Sequence, residues 1–325
     1  MTLNLTSRRH VLTSALAAAV LALSACSKTE APAAASSAPA EAPAAAAAPA
    51  EAGGKVGLAL STLNNPFFVE LRDGAQAEAK KDGVDLIVVD AQDDPAKQQS
   101  GIEDLLQKQI KVLLINPTDS AAVANVVKEA TAKGVKVVSL DRTVEGAPVV
   151  SHIASDNIAG GKMAAEFIAK KLGGKGSLIE LQGIPGSSAA RERGEGFKQG
   201  LAATPDLKVV ASQPADFDRA KGLSVMENLL QSHKDIQAVF AHNDEMALGA
   251  TKALEAAKMK DVLVVGFDAT PDAVAAVKAG TMAATVQQQP AMIGAQGIQV
   301  AKKLLAGETV DASIPVPLQL VTQGQ

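Results

Sequence analysis

The chain has 325 residues, of which 20% are charged and 47% hydrophobic, so it can bury one large core or two smaller ones. Its net charge of −4 comes with no basic cluster, which argues against nucleic acid as a partner, because Lys and Arg neutralising phosphates supply most of that binding energy. The single cysteine, Cys26, excludes an intramolecular disulfide and a thiolate metal cluster.

Residues 1–25 read as a signal peptide: Arg8 and Arg9 form a positive start, and Val11 to Leu23 is an apolar run too short to span a bilayer comfortably. Leu23-Ser24-Ala25-Cys26 closes it and resembles the lipobox of bacterial lipoproteins, which makes Cys26 the expected lipidation site. Ser7 to Leu12 also has the look of a twin-arginine export signal. Residues 26–54 then form a tether rich in Ala and Pro, with Pro32, Pro39, Pro43 and Pro49 interrupting any helix. In polyproline form, at ~3.1 Å per residue, it would reach up to about 80 Å from an anchoring membrane.

From Lys55 onward one pattern repeats: a β-branched or Leu-rich run, a polar cluster, then a helix-like stretch. Val56 to Leu60 leads into the turn Ser61 to Asn65, and Pro66 starts a helix carrying Phe67 and Phe68. Further strands are predicted at Val84 to Val89, Val112 to Ile115, Val135 to Leu140, Ser177 to Leu181, Leu207 to Ala211, Ala238 to Phe240 and Val262 to Gly266. Strands separated by helices imply parallel α/β sheets. A single closed barrel fits less well than two doubly wound sheets, because His152 to Ala154 adds a short strand in mid-chain and Thr281 to Leu320 does not continue the alternation.

Ligands of doubly wound sheets bind outside the carboxyl ends of the strands. Those ends carry Asn64-Asn65, Asp90, Asn116, Asp141-Arg142, Arg191 and Arg193, Asp216-Phe217, Asn243-Asp244, Phe267-Asp268 and Gln287 to Gln289. Planar polar groups of this kind can each hold two neighbouring hydroxyls, and four of the seven phenylalanines (Phe67, Phe68, Phe217, Phe267) stand with them to stack on a sugar ring. Asp90 and Asn64 are read as caps or turn formers. No cofactor or metal is expected: Asp90 to Asp94 lacks the glycine and glutamate of a calcium loop, and Gly173 to Ser177 lacks phosphate-loop spacing. An enzyme using Asp141 and Asp268 as a carboxylate pair is disfavoured because nearby arginines should keep both ionised.

Six strings carry a closer resemblance: STLNNPFF (61–68), LLINPTD (113–119), VVSHIASDN (149–157), AARERGEGF (189–197), ASQPADFDR (211–219) and NDEMALGA (243–250). They are similar to the type I periplasmic sugar-binding family of ABC importers, in its D-ribose branch, from about Lys55 to Val321. The departures are the lipobox, the tether and His242, which stands where the family pattern has glutamine. The resemblance implies an α/β fold of two lobes, each a doubly wound parallel sheet, joined by a three-strand hinge. The first lobe would be residues 55–155 with 289–317, the second 156–288 with 318–325. It implies sugar contacts from Asn65, Phe67, Phe68, Asn116, Asp141 and Arg142 in the first lobe, and from Arg193, Phe217, Asn243, Phe267 and Asp268 in the second, with Gln288 at a hinge crossing. It further implies a monomer without enzymatic activity, in the periplasm, that passes D-ribose to a membrane ABC permease, with a chemotaxis receptor as a further candidate partner; the lipobox, and not the resemblance, adds the expected lipid anchor through Cys26. Allose or a related pentose or hexose is the alternative ligand, and the core of a sugar-sensing regulator the alternative role.

Overall fold

A computed structural model describes residues 54–324; the signal segment, Cys26 and most of the tether lie outside the described residues. Five strands come first: β1 (Val56–Leu60), β2 (Leu86–Asp90), β3 (Val112–Ile115), β4 (Lys136–Leu140) and β5 (Ser151–Ser155). Between them run α1 (Pro66–Asp82), α2 (Pro95–Gln107) and α3 (Ala124–Ala132). The next stretch alternates α4 (Asn157–Leu172), β6 (Lys175–Gln182), α5 (Ser188–Leu201), β7 (Asp206–Pro214), α6 (Arg219–Ser232), β8 (Ala238–Ala241), α7 (Asp244–Ala256), β9 (Leu263–Asp268), α8 (Pro271–Ala279) and β10 (Ala284–Gln287). The chain closes with α9 (Pro290–Leu305), β11 (Ser313–Val316) and β12 (Gln319–Thr322).

Two six-stranded sheets result, in the orders β11-β5-β4-β3-β1-β2 and β12-β10-β9-β8-β6-β7. Every pairing is parallel except β12 against β10. Strands β1, β3 and β8 are buried along their whole length, as apolar runs covered by helices on both faces must be. Each sheet therefore has two cores. In the first, α1 and α9 cover one face and α2 and α3 the other; in the second, α6, α7 and α8 oppose α4 and α5.

The carboxyl-terminal stretch differs from the expectation that alternation stops at Thr281. One more strand, β10, joins the second sheet, and the chain then crosses so that α9 lies on α1 in the first. The four-residue β10 is too short to show a periodicity in the sequence. Three crossings link the lobes: β5 to α4, β10 to α9, and β11 to β12. The Gln289 side chain joins two of them by donating to the Pro317 carbonyl at 3.4 Å.

Helix starts follow local chemistry. Asn65 Oδ1 accepts the Phe67 N–H at 3.0 Å with Pro66 at the first helical position, and Gly83 ends α1 in the left-handed conformation. Asp94, Asp156, Asp218 and Asn243 cap α2, α4, α6 and α7 in the same way. The carboxyl ends of both sheets face one another across a cleft.

Candidate functional site

A small, tightly walled cavity lies where the strand ends of the two lobes meet. Its wall is Asn65, Phe67, Phe68, Asp141 and Arg142 from the first lobe, and Ala189, Arg193, Phe217, Asn243 and Asp268 from the second. It adjoins a mouth that shares Asn65, Phe68, Arg142 and Phe217 and adds charged rim groups such as Asp93 and Arg219.

Each lobe supplies one aspartate–arginine pair. Arg142 Nε stands 3.7 Å from Asp141 Oδ2, and Arg193 NH1 stands 3.7 Å from Asp268 Oδ1, all four side chains at most 5% exposed. The guanidinium of Arg142 is 5.1 Å from the Phe68 ring centre and 5.2 Å from that of Phe217. Arg193 is more firmly built in: Nε donates to Asn157 Oδ1 at 2.9 Å, NH1 to the His242 carbonyl at 2.6 Å, and the guanidinium lies 3.9 Å over the Phe267 ring. Arg142 donates through NH1 to the Pro117 carbonyl at 3.0 Å, while its Nε, like Asp141 Oδ1, is buried without a hydrogen-bond partner. An orphaned donor and an orphaned acceptor side by side suit a ligand carrying adjacent hydroxyls.

Backbone strain aims three of these groups. Asp141, Phe217 and Asp268 have φ of 61°, 60° and 118°, conformations that cost roughly 1–3 kcal/mol each for side chains other than glycine. Each follows or ends a strand, so the reversal turns the side chain off the sheet and into the cleft. The Phe217 ring needs one more accommodation, because a Cβ on Gly183 would sit 2.1 Å from it.

Three of the twelve residues expected at the site stand behind the wall. Asn116 is wholly buried and spends its amide on neighbours, accepting from the Ser61 N–H at 3.4 Å and donating to the Leu140 carbonyl and Asp141 Oδ2, both at 3.1 Å. Phe267 lies under Arg193 in the second lobe's core. Gln288 donates to Asp268 Oδ1 at 2.9 Å, joining a crossing segment to the cavity carboxylate. Arg191 is exposed, and instead of entering the cavity it pairs with Glu145 across the lobes. Ser188 and Ser120 add contacts there: Ser188 Oγ accepts the Thr143 N–H at 2.9 Å, and Ser120 Oγ accepts the Ser188 N–H at 3.1 Å. Asp90 accepts the Gln92 N–H at 2.9 Å, the turn-forming role read for it.

At Asp268 the neighbouring arginine is not the only influence on the carboxyl. Burial pushes its carboxyl well above the ordinary range and outweighs the pull of Arg193, with the neighbouring Asp244 pushing the same way.

Asp244 is an anchor that sequence reading missed. Its Oδ2 accepts the Thr270 N–H at 2.7 Å and the Thr270 hydroxyl at 3.2 Å, and its Oδ1 accepts the Thr285 hydroxyl at 2.6 Å. Burial raises it from 3.8 to about 7 despite those bonds. A raised folded-state value means that the folded chain binds the extra proton between the two, so this group's contribution to stability falls as pH rises from 3.8 to about 7. Asp244→Asn should flatten that part of the profile, seen as a melting temperature that gains on wild type as pH rises through the window; parallel melting curves would assign the pH dependence elsewhere.

Residues 56–309 match the family model described as periplasmic binding protein domain. The ribose import binding protein RbsB of Salmonella typhimurium is 58% identical over 272 residues, 84% of this chain and 92% of the relative. The RbsB of Bacillus subtilis is 54% identical over 268 residues, 82% of this chain and 87% of the relative. Among solved structures, the Caulobacter myo-inositol binding protein bound to myo-inositol superposes with a TM-score of 0.80 at 35% identity, covering 83% of this chain and 93% of that one. A periplasmic solute binding protein of an ABC transporter from Actinobacillus succinogenes, with bound D-allose, gives 0.78 at 31% identity, covering 84% and 98%. The two-lobed α/β fold, the facing strand ends and these likenesses agree: the chain belongs to the periplasmic binding protein domain family.

Proposed function

We propose that this protein captures a monosaccharide, D-ribose, between its lobes and delivers it to a membrane ABC permease without changing it. The observation that carries the reading is the paired wall of the cavity, in which each lobe contributes one aspartate, one arginine and a phenylalanine face. Because the shell is split, the sugar binds the closed arrangement more tightly than an open one, and that difference drives closure. In this reading Asn65, Phe67, Phe68, Asp141, Arg142, Arg193, Phe217, Asn243 and Asp268 touch the sugar, while Asn116, Phe267 and Gln288 hold the contacting groups in place. The RbsB relatives support ribose over the allose and inositol ligands of the more distant structures.

Calorimetric titration with ribose, allose, other pentoses and hexoses, and myo-inositol tests the assignment. Ribose should bind most tightly and be recovered unchanged after prolonged incubation. Failure of every sugar, or a protein-dependent product, overturns the reading.

The periplasm is the place the family implies. We further propose that lipid on Cys26 holds the protein at a membrane and that the tether sets its reach. Metabolic labelling with palmitate should mark the wild type and leave Cys26→Ala unmarked; equal labelling of the two would remove the anchor. A chemotaxis receptor that reads the closed form is a second candidate partner.

A further inference from the structure

Behind the cavity wall of the second lobe lies a buried ionisable pair, His242 and Glu180. His242 follows β8 and is 1% exposed. Its Nε2 is 3.0 Å from Glu180 Oε1 on β6, and its Nδ1 accepts the Gly183 N–H at 3.3 Å. The other Glu180 oxygen accepts the Ser212 hydroxyl at 2.6 Å and the Gln182 amide at 3.5 Å. These bonds admit one protonation state. Nδ1 must be bare to accept from a backbone N–H, so Nε2 carries the hydrogen and donates it to the carboxylate.

On its other side the pair touches what builds the wall. The Phe217 ring rests on Gly183 so closely that a Cβ there would overlap it. Helix α5 lies across the pair at Gly194, whose Cβ would be 3.3 Å from both His242 Cε1 and Glu180 Oε1, and the preceding residue is Arg193.

We propose that His242, held by Glu180, is a positioning residue for sugar binding: it fixes the Gly183 backbone against which the Phe217 ring rests, and it does so only while neutral. The proposal rests on the sugar-binding reading of the cavity. A protonated imidazole would point an N–H at the N–H of Gly183, so the ring must turn or Gly183 must shift, and Phe217 shifts with it. The charged groups facing the imidazole are Glu180 from β6 and Arg193 from α5. Arg191, Glu195 and Lys198 of α5 line a groove that also reaches Glu180. Asp244, two residues along the chain, turns away to Thr270 and Thr285. Burial favours the neutral ring and Arg193 adds to it, while the Glu180 carboxylate opposes them; the outcome is a lowered value, so the neutral form prevails at neutral pH and is lost on acidification.

Titration of the full chain with D-ribose from about pH 7.5 stepwise down to the pH at which the melt shows unfolding tests this in the wild type, His242→Gln and His242→Ala. Glutamine offers an acceptor and a donor on one planar group that does not titrate. Wild-type affinity should fall once the pH is low enough to protonate His242, while His242→Gln should change less than about threefold over the same range, and bind more tightly than His242→Ala at neutral pH. The alanine variant leaves the Gly183 N–H and Glu180 without partners and should lose about tenfold at neutral pH. A melt at each pH shows which variants are folded; if His242→Ala is not, the wild-type and glutamine profiles decide alone. Parallel pH profiles for wild type and His242→Gln, or a folded His242→Ala with wild-type affinity, overturn the proposal. A wild type that binds no sugar at neutral pH sinks the reading of the cavity itself, an outcome distinct from the other two.

Discussion

Arg193→Ala and Arg142→Ala should each weaken ribose binding by at least ~2 kcal/mol, roughly thirtyfold, because each removes paired donors and strands a buried aspartate. Arg193 has the larger expected effect. Its loss also frees Asn157 Oδ1 and the His242 carbonyl, so the variant should melt earlier as well as bind less. Arg142 has one protein acceptor, the Pro117 carbonyl, and more of its guanidinium is available to a ligand. Phe68→Leu is the control: it keeps most of the apolar surface, loses the ring face, and should cost about 1 kcal/mol of affinity without altering selectivity among sugars. Calorimetry on each variant, with a melt as a folding control, separates the terms. A folded arginine variant that binds like wild type would mean the cavity is not where the sugar goes.

Gly266→Ala should destabilise the second lobe through the Asp244 carboxylate. The added Cβ would lie 2.2 Å from Asp244 Oδ1, 2.9 Å from Met282 Cε and 3.2 Å from the Ala247 Cβ. Met282 has rotatable bonds and can give way, but Asp244 is held by three hydrogen bonds to Thr270 and Thr285 and cannot. Overpacking together with one broken buried hydrogen bond puts the loss at about 3 kcal/mol. Urea unfolding measures it. An unchanged midpoint would show that the carboxylate moves freely, and would weaken the account of Asp244 as an anchor.

Much of the fold was legible in the sequence because local chemistry agrees with it. Asn65 followed by Pro66 is at once a strand terminator, a cap and a helix start, and the all-apolar runs of β1 and β3 have few other uses than the middle of a covered parallel sheet. Strand ends also pointed to most of the cavity wall, since a parallel sheet gathers them on one edge. Proximity to that edge does not say which way a side chain turns. Asn116 follows β3 as Asp141 follows β4, yet Asn116 spends its amide on the backbone and on the Asp141 carboxylate while a reversed φ throws Asp141 into the cleft. Ala189 lines the wall with no polar group to announce it. The upward push of burial on the Asp268 carboxyl was the least readable property, because it is set by the water excluded from around it rather than by its neighbours in sequence.

The crossings between sheets bear on the order in which the molecule can assemble. The first lobe is the first to emerge during synthesis, yet its edge strand β11 and the helix α9, whose Ile293, Ile298, Val300 and Ala301 fill the core beside α1, are made near the end. Until then α1 has an uncovered apolar flank and β5 an unpaired edge, the surfaces on which partly folded chains stick to one another. Pairings between residues so far apart in sequence also slow folding, since the intervening loop must close before any contact repays it. A nascent chain of this protein therefore needs shielding for nearly its whole length, and truncation at the carboxyl end is felt in the lobe that was synthesised first.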